Sequence, residues 1–186
     1  MQKLVVSFFV FFLSFVAIPQ KHNLFAQQQE SEGVNWLSFE EALRLNAEAP
    51  RNILIDVYTD WCSYCRAMDA QTFKNPVIAQ YINQNFYAIK FNAESTESIQ
   101  FNGRTYANPG VRQGNRRPVH QFTSFLGVTG YPTVVYFKSS LEKIDAYPGF
   151  YRPHHIEPLL HYIVTQKYLE MSLEDFQKTF VGEFSR

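Results

Sequence analysis

The sequence predicts an α/β fold in which a central mixed β-sheet is flanked by helices. Two observations predict it. Apolar runs typical of buried strands alternate with segments whose apolar residues recur at helical spacing, and the last two apolar runs are close enough to form an antiparallel hairpin. The chain has 186 residues, of which 46% are hydrophobic and 17% aromatic, enough for one domain with a substantial core. The predicted strands are residues 53–58, 86–91, 133–137 and 143–147.

The N-terminal residues predict export. Lys3 precedes an apolar run, residues 4–18, that only Ser7 and Ser14 interrupt, and polar sequence follows as far as the small residue Ala26. This order is typical of a secretory signal peptide, and the run is shorter than the roughly 20 residues of a membrane-spanning helix. We therefore expect a periplasmic or secreted protein. The predicted divisions are a signal peptide at 1–26, a flexible polar leader at 27–35 and a folded domain at 36–186.

The charge of the chain is balanced, with 17 Lys and Arg residues against 17 Asp and Glu residues. A balanced charge predicts neither nucleic-acid binding nor attraction to a membrane surface. We therefore expect no nucleic-acid partner.

The first predicted helix follows Ser38. Ser38 and Glu41 have the spacing of a capping box, and Pro50 ends the helical pattern. The strand at 53–58 comes next and carries one carboxylate, Asp56, in an otherwise apolar run. Burial of an unpartnered charge is costly, so we expect burial to raise the pKa of Asp56 and favour its neutral form. The alternative is an Asp that is hydrogen-bonded at the end of the strand.

The only two cysteines of the chain, Cys62 and Cys65, stand where this strand gives way to a helix. Free N–H groups and the helix dipole stabilise a thiolate at a helix N-terminus, so Cys62 is expected to be nucleophilic. Cys65 lies one helical turn later, and the pair can cycle between dithiol and disulfide. A bridge over so few residues stabilises a fold little, because the stabilising effect grows with loop length. The pair therefore predicts redox chemistry.

A zinc site is the main chemical alternative for the two cysteines. Zinc would need two further ligands. The histidines lack a second Cys-x-x-Cys motif or the spacing of a zinc finger, so we expect no metal and no other cofactor. They are predicted to be surface or helix-end residues rather than catalysts. The histidines in question are His120, His154, His155 and His161.

The remaining elements follow in order. Asn75 and Pro76 predict a capped helix start, and the strand at 86–91 comes after this helix. The C-terminal part predicts a helix at 153–169 and a short last helix that begins after Ser172, with Asp175 at the spacing of a capping box. The inward positions of the longer helix are Ile156, Leu159, Leu160 and Ile163.

An insertion at about residues 93–117 separates the strand at 86–91 from a helix predicted at 118–126. Residues 99–106 contain an Asn-Gly turn between alternating segments and predict a small hairpin. No acidic residue occurs from Ser98 through Leu141. The basic residues of the insertion are either solvated loop arginines or a surface for docking a partner. They are Arg104, Arg112, Arg116 and Arg117.

At the cysteines the sequence resembles the thioredoxin superfamily, in which a Trp-Cys-x-x-Cys motif follows a central strand. Asp56 stands six residues before Cys62, where that family has a buried acid, and Lys90 matches the lysine that neighbours this acid. Tyr131-Pro132-Thr133 matches the family's cis-proline, and Gly149 matches a glycine after the last strand. The run 60–69, followed by Thr72-Phe73, most resembles the extracytoplasmic branch that includes the C-terminal domain of the DsbD thiol:disulfide reductase.

This resemblance implies a thioredoxin-like fold and a redox disulfide between Cys62 and Cys65. It implies that Asp56 moves protons for Cys65, with Lys90 either paired with Asp56 or facing solvent. Trp61, Tyr64 and Tyr131 are expected to form an apolar rim over the sulfurs. The residues expected to contact a substrate are Trp61, Ser63, Tyr64, Tyr131 and Pro132.

The implied activity is thiol:disulfide exchange with protein or peptide clients, with a membrane protein as the redox partner. The reductive direction is favoured, although Ser63-Tyr64 stands where thioredoxin has Gly-Pro, and this dipeptide helps to set the reduction potential in the family. Two alternatives belong to other classes of protein. One is a binding or chaperone module that uses the fold without turnover, and the other is a metal-handling protein.

Overall fold

A five-stranded mixed sheet forms the centre of the computed structural model, which describes residues 33–110 and 118–184. The strands lie in the order β1-β3-β2-β6-β7, and a separate two-stranded hairpin, β4-β5, lies in the predicted insertion. The strands are β1 (Trp36–Leu37), β2 (Asn52–Tyr58), β3 (Phe86–Asn92), β4 (Ile99–Phe101), β5 (Arg104–Tyr106), β6 (Thr133–Phe137) and β7 (Lys143–Pro148). The predicted α/β fold and the predicted hairpins are confirmed.

Strand β2 is central in this sheet. It pairs in parallel with β3 and antiparallel with β6, so that Asp56 lies between Lys90 and Val134. Because β2 has a strand on each side and helices over both faces, its side chains from Ile53 to Val57 are buried. The continuous apolar run in the sequence has this physical cause.

Helices cover both faces of the sheet. The α2 helix continues without a break into a π-helical turn, Asp69–Phe73, so the segment after Cys62 is helical over eleven residues. The helices are α1 (Phe39–Glu48), α2 (Ser63–Met68), α3 (Pro76–Asn85), α4 (Gln121–Leu126), α5 (Pro153–Val164) and α6 (Leu173–Thr179). None of the helices among these described residues is long and apolar enough to cross a membrane.

The core has two halves, one on each face of the sheet. On one face α2, α3 and α5 pack against Leu54 and Val134, together with the aromatic ring of Tyr136. On the other face α1, α4 and the β4-β5 hairpin enclose a cluster of aromatic rings around Phe122. The hairpin of the insertion is therefore part of the core, because Phe101 and Tyr106 are both buried.

Three helix starts agree with the predicted caps. The Ser38 hydroxyl accepts a hydrogen bond from the Glu41 N–H, and the Ser172 hydroxyl accepts one from the Asp175 N–H. The Asn75 carboxamide oxygen accepts from the first turn of α3. Each bond satisfies an N–H that has no partner within its own helix.

Two predicted helix bounds are wrong. The helix predicted at 118–126 begins at Gln121, because His120 is extended and its side chain caps the first turn. The helix predicted at 153–169 ends at Val164, since Gln166 has a left-handed backbone that an α-helix cannot include, and a separate 3-10 turn covers Lys167–Leu169. The predicted signal peptide, the first part of the predicted leader and the predicted basic residues Arg112, Arg116 and Arg117 lie outside the described residues.

Candidate active site

The two cysteines form a disulfide at the end of β2, with their Cα atoms 5.3 Å apart. Cys62 occupies the N-cap position of α2, and its Sγ accepts a hydrogen bond from the Cys65 N–H at 3.1 Å. The two residues are almost equally buried, with 5% of Cys62 and 3% of Cys65 exposed. Burial therefore does not distinguish them, and the N–H that points at Cys62 does.

Asp56 lies on β2, six residues before Cys62, and is 2% exposed. Its Oδ1 atom is buried and has no hydrogen-bond partner among the described residues. Burial is the main cause that raises the pKa of Asp56 to about 7. The positive charge of Lys90 partly opposes this rise, and the negative charge of Asp69 adds a smaller contribution to it. The carboxyl group is thus poised between its neutral and charged forms near neutral pH.

Lys90 does not pair with Asp56 and does not simply face solvent. Its ammonium group binds the Asp69 carboxylate and lies over the rings of Trp36 and Tyr58, at 5.4 Å and 5.1 Å from their centroids. Asp69 is partly exposed, so it carries a charge at a lower desolvation cost than the enclosed Asp56 does. This difference explains why the ion pair forms with Asp69.

Asp69 was not identified from the sequence as the partner of Lys90. A signal was present in the sequence, since Asp69 lies four residues after Cys65. Side chains four apart on a helix share a face, and Cys65 is on the buried face.

The predicted rim consists of two separate pairs. Trp61 and Tyr131 meet edge to face with centroids 6.0 Å apart, whereas Tyr64 contacts Phe150 at 6.3 Å. Trp61 is 51% exposed and Tyr64 is 66% exposed. The structure therefore presents two large aromatic side chains to solvent next to the buried cysteines, and Ser63, between Cys62 and Tyr64 in the chain, is exposed as well.

The loop that carries Pro132 is joined to the site by the contact of Tyr131 with Trp61. The Tyr131–Pro132 peptide bond is cis, as the resemblance implies. The Pro132 carbonyl accepts a hydrogen bond from the Gly149 N–H at 2.9 Å. Gly149 has a φ of 114°, which a side chain would strain, so this position after β7 favours glycine.

Glu94 is a further residue of the site that the sequence did not reveal. Its Oε1 accepts a hydrogen bond from the Trp61 indole N–H at 3.0 Å. Its own backbone N–H donates to Asn92 Oδ1, and the Asn92 amide donates to Asp60 just before Trp61. The first residues of the insertion are thereby joined to the strand-to-helix turn that carries the cysteines.

The insertion itself is held by polar side chains. The Asn108 amide donates to three carbonyl oxygens, those of Glu94, Ser95 and Pro118, at 3.0–3.2 Å. Arg104 is exposed and its guanidinium lies over the Tyr106 ring at 5.0 Å. Whether this surface docks a partner stays a prediction.

Metal ligands are not gathered elsewhere in the described part of the chain. Residues 33–110 and 118–184 contain no group of three or more His, Cys, Asp and Glu side chains that could hold a metal ion. His154 and His155 are exposed, as predicted for surface residues. His120 is fully buried and is therefore not a surface residue, but it does lie at a helix end, where it caps α4.

Comparisons with known proteins define the class to which this chain belongs. Residues 39–164 match the family model described as a thioredoxin-like domain. The chain therefore belongs to the thioredoxin-like family. A search of curated proteins finds no match.

Solved structures share this fold at low sequence identity. A thioredoxin from Thermus thermophilus is 16% identical, with a TM-score of 0.52, over 70% of this chain and 87% of that one. A thioredoxin-fold protein from Helicobacter pylori is also 16% identical, with a TM-score of 0.51, over 81% of this chain and 93% of that one. An oxidoreductase named DsbH is 20% identical, with a TM-score of 0.44, over 64% of this chain and 74% of that one. Similarities at these identities show the fold alone.

Proposed function

We propose that this protein is an extracytoplasmic thiol:disulfide oxidoreductase that exchanges the Cys62–Cys65 disulfide with disulfides of client proteins or peptides. One observation carries the proposal. The two cysteines of the chain lie at the start of a helix with a backbone N–H directed at Cys62, and the strand that precedes this helix carries Asp56, a buried carboxyl group whose pKa burial has raised to about 7. A merely structural disulfide would need neither feature.

The first exchange forms a mixed disulfide. The Cys62 thiolate attacks one sulfur of a client disulfide, a new S–S bond forms to Cys62, and the client's own S–S bond breaks. The electron pair of the broken bond leaves on the second client sulfur as a thiolate, which takes a proton from solvent. The Cys65 N–H stabilises the attacking thiolate, because it is a preorganised donor at the helix N-terminus.

The second exchange releases the client. Cys65 loses its proton to Asp56, and its thiolate attacks the Cys62 sulfur, so the mixed disulfide breaks and the Cys62–Cys65 disulfide forms. The client sulfur leaves as a thiolate and takes a proton from solvent, so the client is released as a dithiol while the protein is oxidised by two electrons to its disulfide. Asp56 suits the proton transfer, because a carboxyl group with a pKa near neutral can both take and return a proton.

Trp61 and Tyr64 supply the contact surface for the client. Both present exposed aromatic area beside the disulfide, and aromatic side chains dominate the energetics of protein contacts. Tyr131, Pro132 and Ser63 line the approach to the sulfurs. The client is held while the sulfurs exchange, and no cofactor takes part.

The direction of electron flow follows from the likeness to the DsbD branch. Reduction of clients is the favoured direction, and it requires a dithiol donor, for which a membrane redox protein is the proposed source. The location is periplasmic or secreted, as the N-terminal signal predicts. Determination of the N-terminus of the exported protein tests the cleavage after Ala26, and a measured reduction potential tests the direction.

Reduction of insulin disulfides by dithiothreitol separates the catalyst from a binding or chaperone module. The wild type should accelerate insulin precipitation well above the dithiothreitol background, and Cys62→Ala should not. A wild type that binds reduced or unfolded protein with no acceleration would favour the binding module. Metal bound after aerobic purification, in amounts that depend on both cysteines, would favour the metal-handling alternative.

A further inference from the structure

The segment of residues 93–98, which opens the insertion, is hydrogen-bonded to the end of β2 and to Trp61. The Ala93 N–H donates to the Tyr58 carbonyl at the end of β2, at 2.8 Å. Glu94 accepts the hydrogen bond of the Trp61 indole. This segment is therefore one of the contacts that position Trp61, together with the ring of Tyr131.

His120 holds the same segment from the other side. It is 0% exposed, and both of its ring nitrogens have partners. Nδ1 accepts a hydrogen bond from the Phe122 N–H at 3.0 Å, and Nε2 lies 2.9 Å from the Glu97 carbonyl oxygen. The backbone N–H of His120 donates to the Ala93 carbonyl at 2.8 Å.

These partners define the protonation state of the ring. Nδ1 must be the unprotonated nitrogen, because the Phe122 N–H is a donor, and Nε2 must carry the hydrogen, because the Glu97 carbonyl is an acceptor. The ring is therefore neutral. A second proton would place an N–H on Nδ1 against the Phe122 N–H and a charge on a ring that is fully buried. The cap would be lost and the ring would have to move.

We propose that neutral His120 is a positioning residue that fixes the 93–98 segment and, through Glu94, the Trp61 side of the rim, and that protonation of His120 releases both. The part of this proposal that concerns client binding rests on the proposed function. The part that concerns the hydrogen bonds of His120 is independent of that function.

The charges around His120 do not oppose this behaviour. The titratable groups of the elements packed against it are Lys90 on β3, Glu94 and Glu97 in the segment, and Arg104 and Tyr106 in the hairpin. Lys90 is bound to Asp69 and Glu94 to Trp61, while Glu97 and Arg104 are exposed. Burial lowers the pKa of His120 below its usual value, and the hydrogen bond to the Glu97 carbonyl partly offsets this.

The sign of the pH effect follows from this direction. The pKa is lower in the folded protein than in the unfolded chain, so the unfolded chain binds the proton first as the pH falls. The contribution of His120 to stability is complete above the unfolded value near ~6.5 and is lost as the pH falls through the lowered folded value. The segment should therefore loosen on the acid side.

Two substitutions separate the two hydrogen bonds of the ring. In His120→Asn the amide oxygen can take the place of Nδ1 as the helix cap, but the side chain is too short to reach the Glu97 carbonyl. In His120→Gln the amide nitrogen can reach the Glu97 carbonyl, but the cap is lost. Neither side chain titrates. His154→Gln is the matched control, because His154 is exposed on α5.

Hydrogen exchange of the amides in residues 93–98 tests the proposal without any assay of activity. It is followed from about pH 8 to about pH 5 and corrected for the pH dependence of intrinsic exchange. In the wild type and in His154→Gln, protection should fall about tenfold on the acid side. His120→Gln should keep the neutral-pH protection throughout, and His120→Asn should show the reduced protection throughout.

Two results would overturn the proposal. One is an acid-dependent loss of protection that persists in His120→Gln, because another group would then cause it. The other is full protection in His120→Asn, because the contact with Glu97 would then hold nothing.

Kinetics with a peptide disulfide test the link to client binding. His120→Asn should raise KM about fivefold and change kcat less than about twofold, because the sulfurs and Asp56 are untouched. Equal KM values in His120→Asn and wild type would show that the position of the 93–98 segment does not affect client binding. A wild type without turnover would refute the proposed function and leave the exchange result intact.

Discussion

Asp56 and His120 are two buried titratable side chains in two regions of the molecule, and their surroundings differ in one respect. Asp56, on β2 six residues before Cys62, has a buried oxygen without a partner among the described residues. His120, where the insertion meets α4, has a partner for each ring nitrogen. Burial favours the neutral form of both, since it raises the pKa of Asp56 and lowers that of His120.

The difference teaches which region exchanges protons and which holds structure. Thr123 Oγ1 and Tyr136 OH are also buried without a partner among the described residues, so the lack of a partner alone does not mark a reactive group. Asp56 differs from them in that its pKa is about 7, which lets it exchange a proton near neutral pH. A fully partnered group rigidifies its surroundings. The strand with Asp56 is therefore the reactive region, and the junction with His120 is the supporting one.

The cysteines provide the largest test of this assignment. Cys62→Ala should abolish exchange, a loss of at least about 10³-fold, because the nucleophile is gone. Cys65→Ala should accumulate mixed disulfides with clients, since attack survives and resolution does not. Non-reducing gels followed by mass spectrometry measure the trapped species. If Cys62→Ala traps clients and Cys65→Ala does not, the two roles are reversed.

Asp56→Asn tests the reactive role of the buried carboxyl group. The substitution keeps the shape and removes proton exchange, so resolution by Cys65 should slow about 10²-fold, the low end for general acid–base catalysis. Attack by Cys62 should change little, because its thiolate is stabilised by the Cys65 N–H. Stopped-flow exchange with a disulfide peptide measures the two steps separately, and equal slowing of both would contradict this division of roles.

The same variant should change the dependence of stability on pH. The pKa of Asp56 is raised to about 7 in the folded protein, so the wild type loses stability as the pH rises from the unfolded value near ~4 to that value. Above it the penalty is constant. Asp56→Asn should therefore be more stable than the wild type near pH ~8, by up to about 4 kcal/mol, and the difference should shrink in acid. Urea melts at several pH values measure it, and parallel curves would mean that Asp56 does not titrate in this range.

Asn108 is the sharpest test of the supporting region. Its amide donates to carbonyls near both ends of the insertion, those of Glu94, Ser95 and Pro118, and so joins the two ends. Asn108→Ala should lower the free energy of unfolding by about 2 kcal/mol, since three acceptors lose their donor, and should leave the resolution step nearly unchanged. Thr96→Ala, an exposed change in the same insertion, is the control for urea melts. If Asn108→Ala slowed attack by Cys65 on the mixed disulfide without slowing attack by Cys62, the insertion would take part in the chemistry and the two regions would not have separate roles.

The sequence predicted the reactive region more completely than the supporting one. The strand with Asp56, the Cys62 helix start and the hairpin of β6 and β7 depend on local signals, namely an apolar run, a spacing and a turn. Their existence and type are confirmed. The residues that face one another across the site depend on tertiary packing, which no local pattern contains.

Lys90, Glu94 and His120 illustrate what local signals omit. Lys90 was expected beside Asp56 or in solvent, and its actual partner, Asp69, lies on a different element. Glu94 and His120 lie in or after an insertion whose path cannot be derived from periodicity. The two-residue strand β1 is likewise too short for its pattern to be distinguished from a loop.

The Lys90–Asp69 ion pair gives the smallest expected effect and adjusts the reactive region itself. Lys90 lowers the pKa of Asp56 and Asp69 raises it, so the pair partly cancels at that carboxyl group. Asp69→Asn removes the repulsion and frees Lys90 to turn towards Asp56, so the pKa of Asp56 should fall below about 7. Lys90→Met removes the attraction and should raise that pKa. Each shift should be about one pH unit or less, because both groups are partly exposed to water.

The two variants are informative together because they should shift the pKa of Asp56 in opposite directions. A general loosening of the fold would shift that pKa in the same direction in both variants. The carbon-13 chemical shift of the Asp56 carboxyl group, followed through neutral pH, measures the pKa directly. Asp60→Asn is the control, since Asp60 is exposed and is not among the charges that shift Asp56. Shifts of the same sign in Asp69→Asn and Lys90→Met would show that packing around β2, rather than charge, tunes Asp56. The proton-exchanging role of Asp56 would then depend on burial alone.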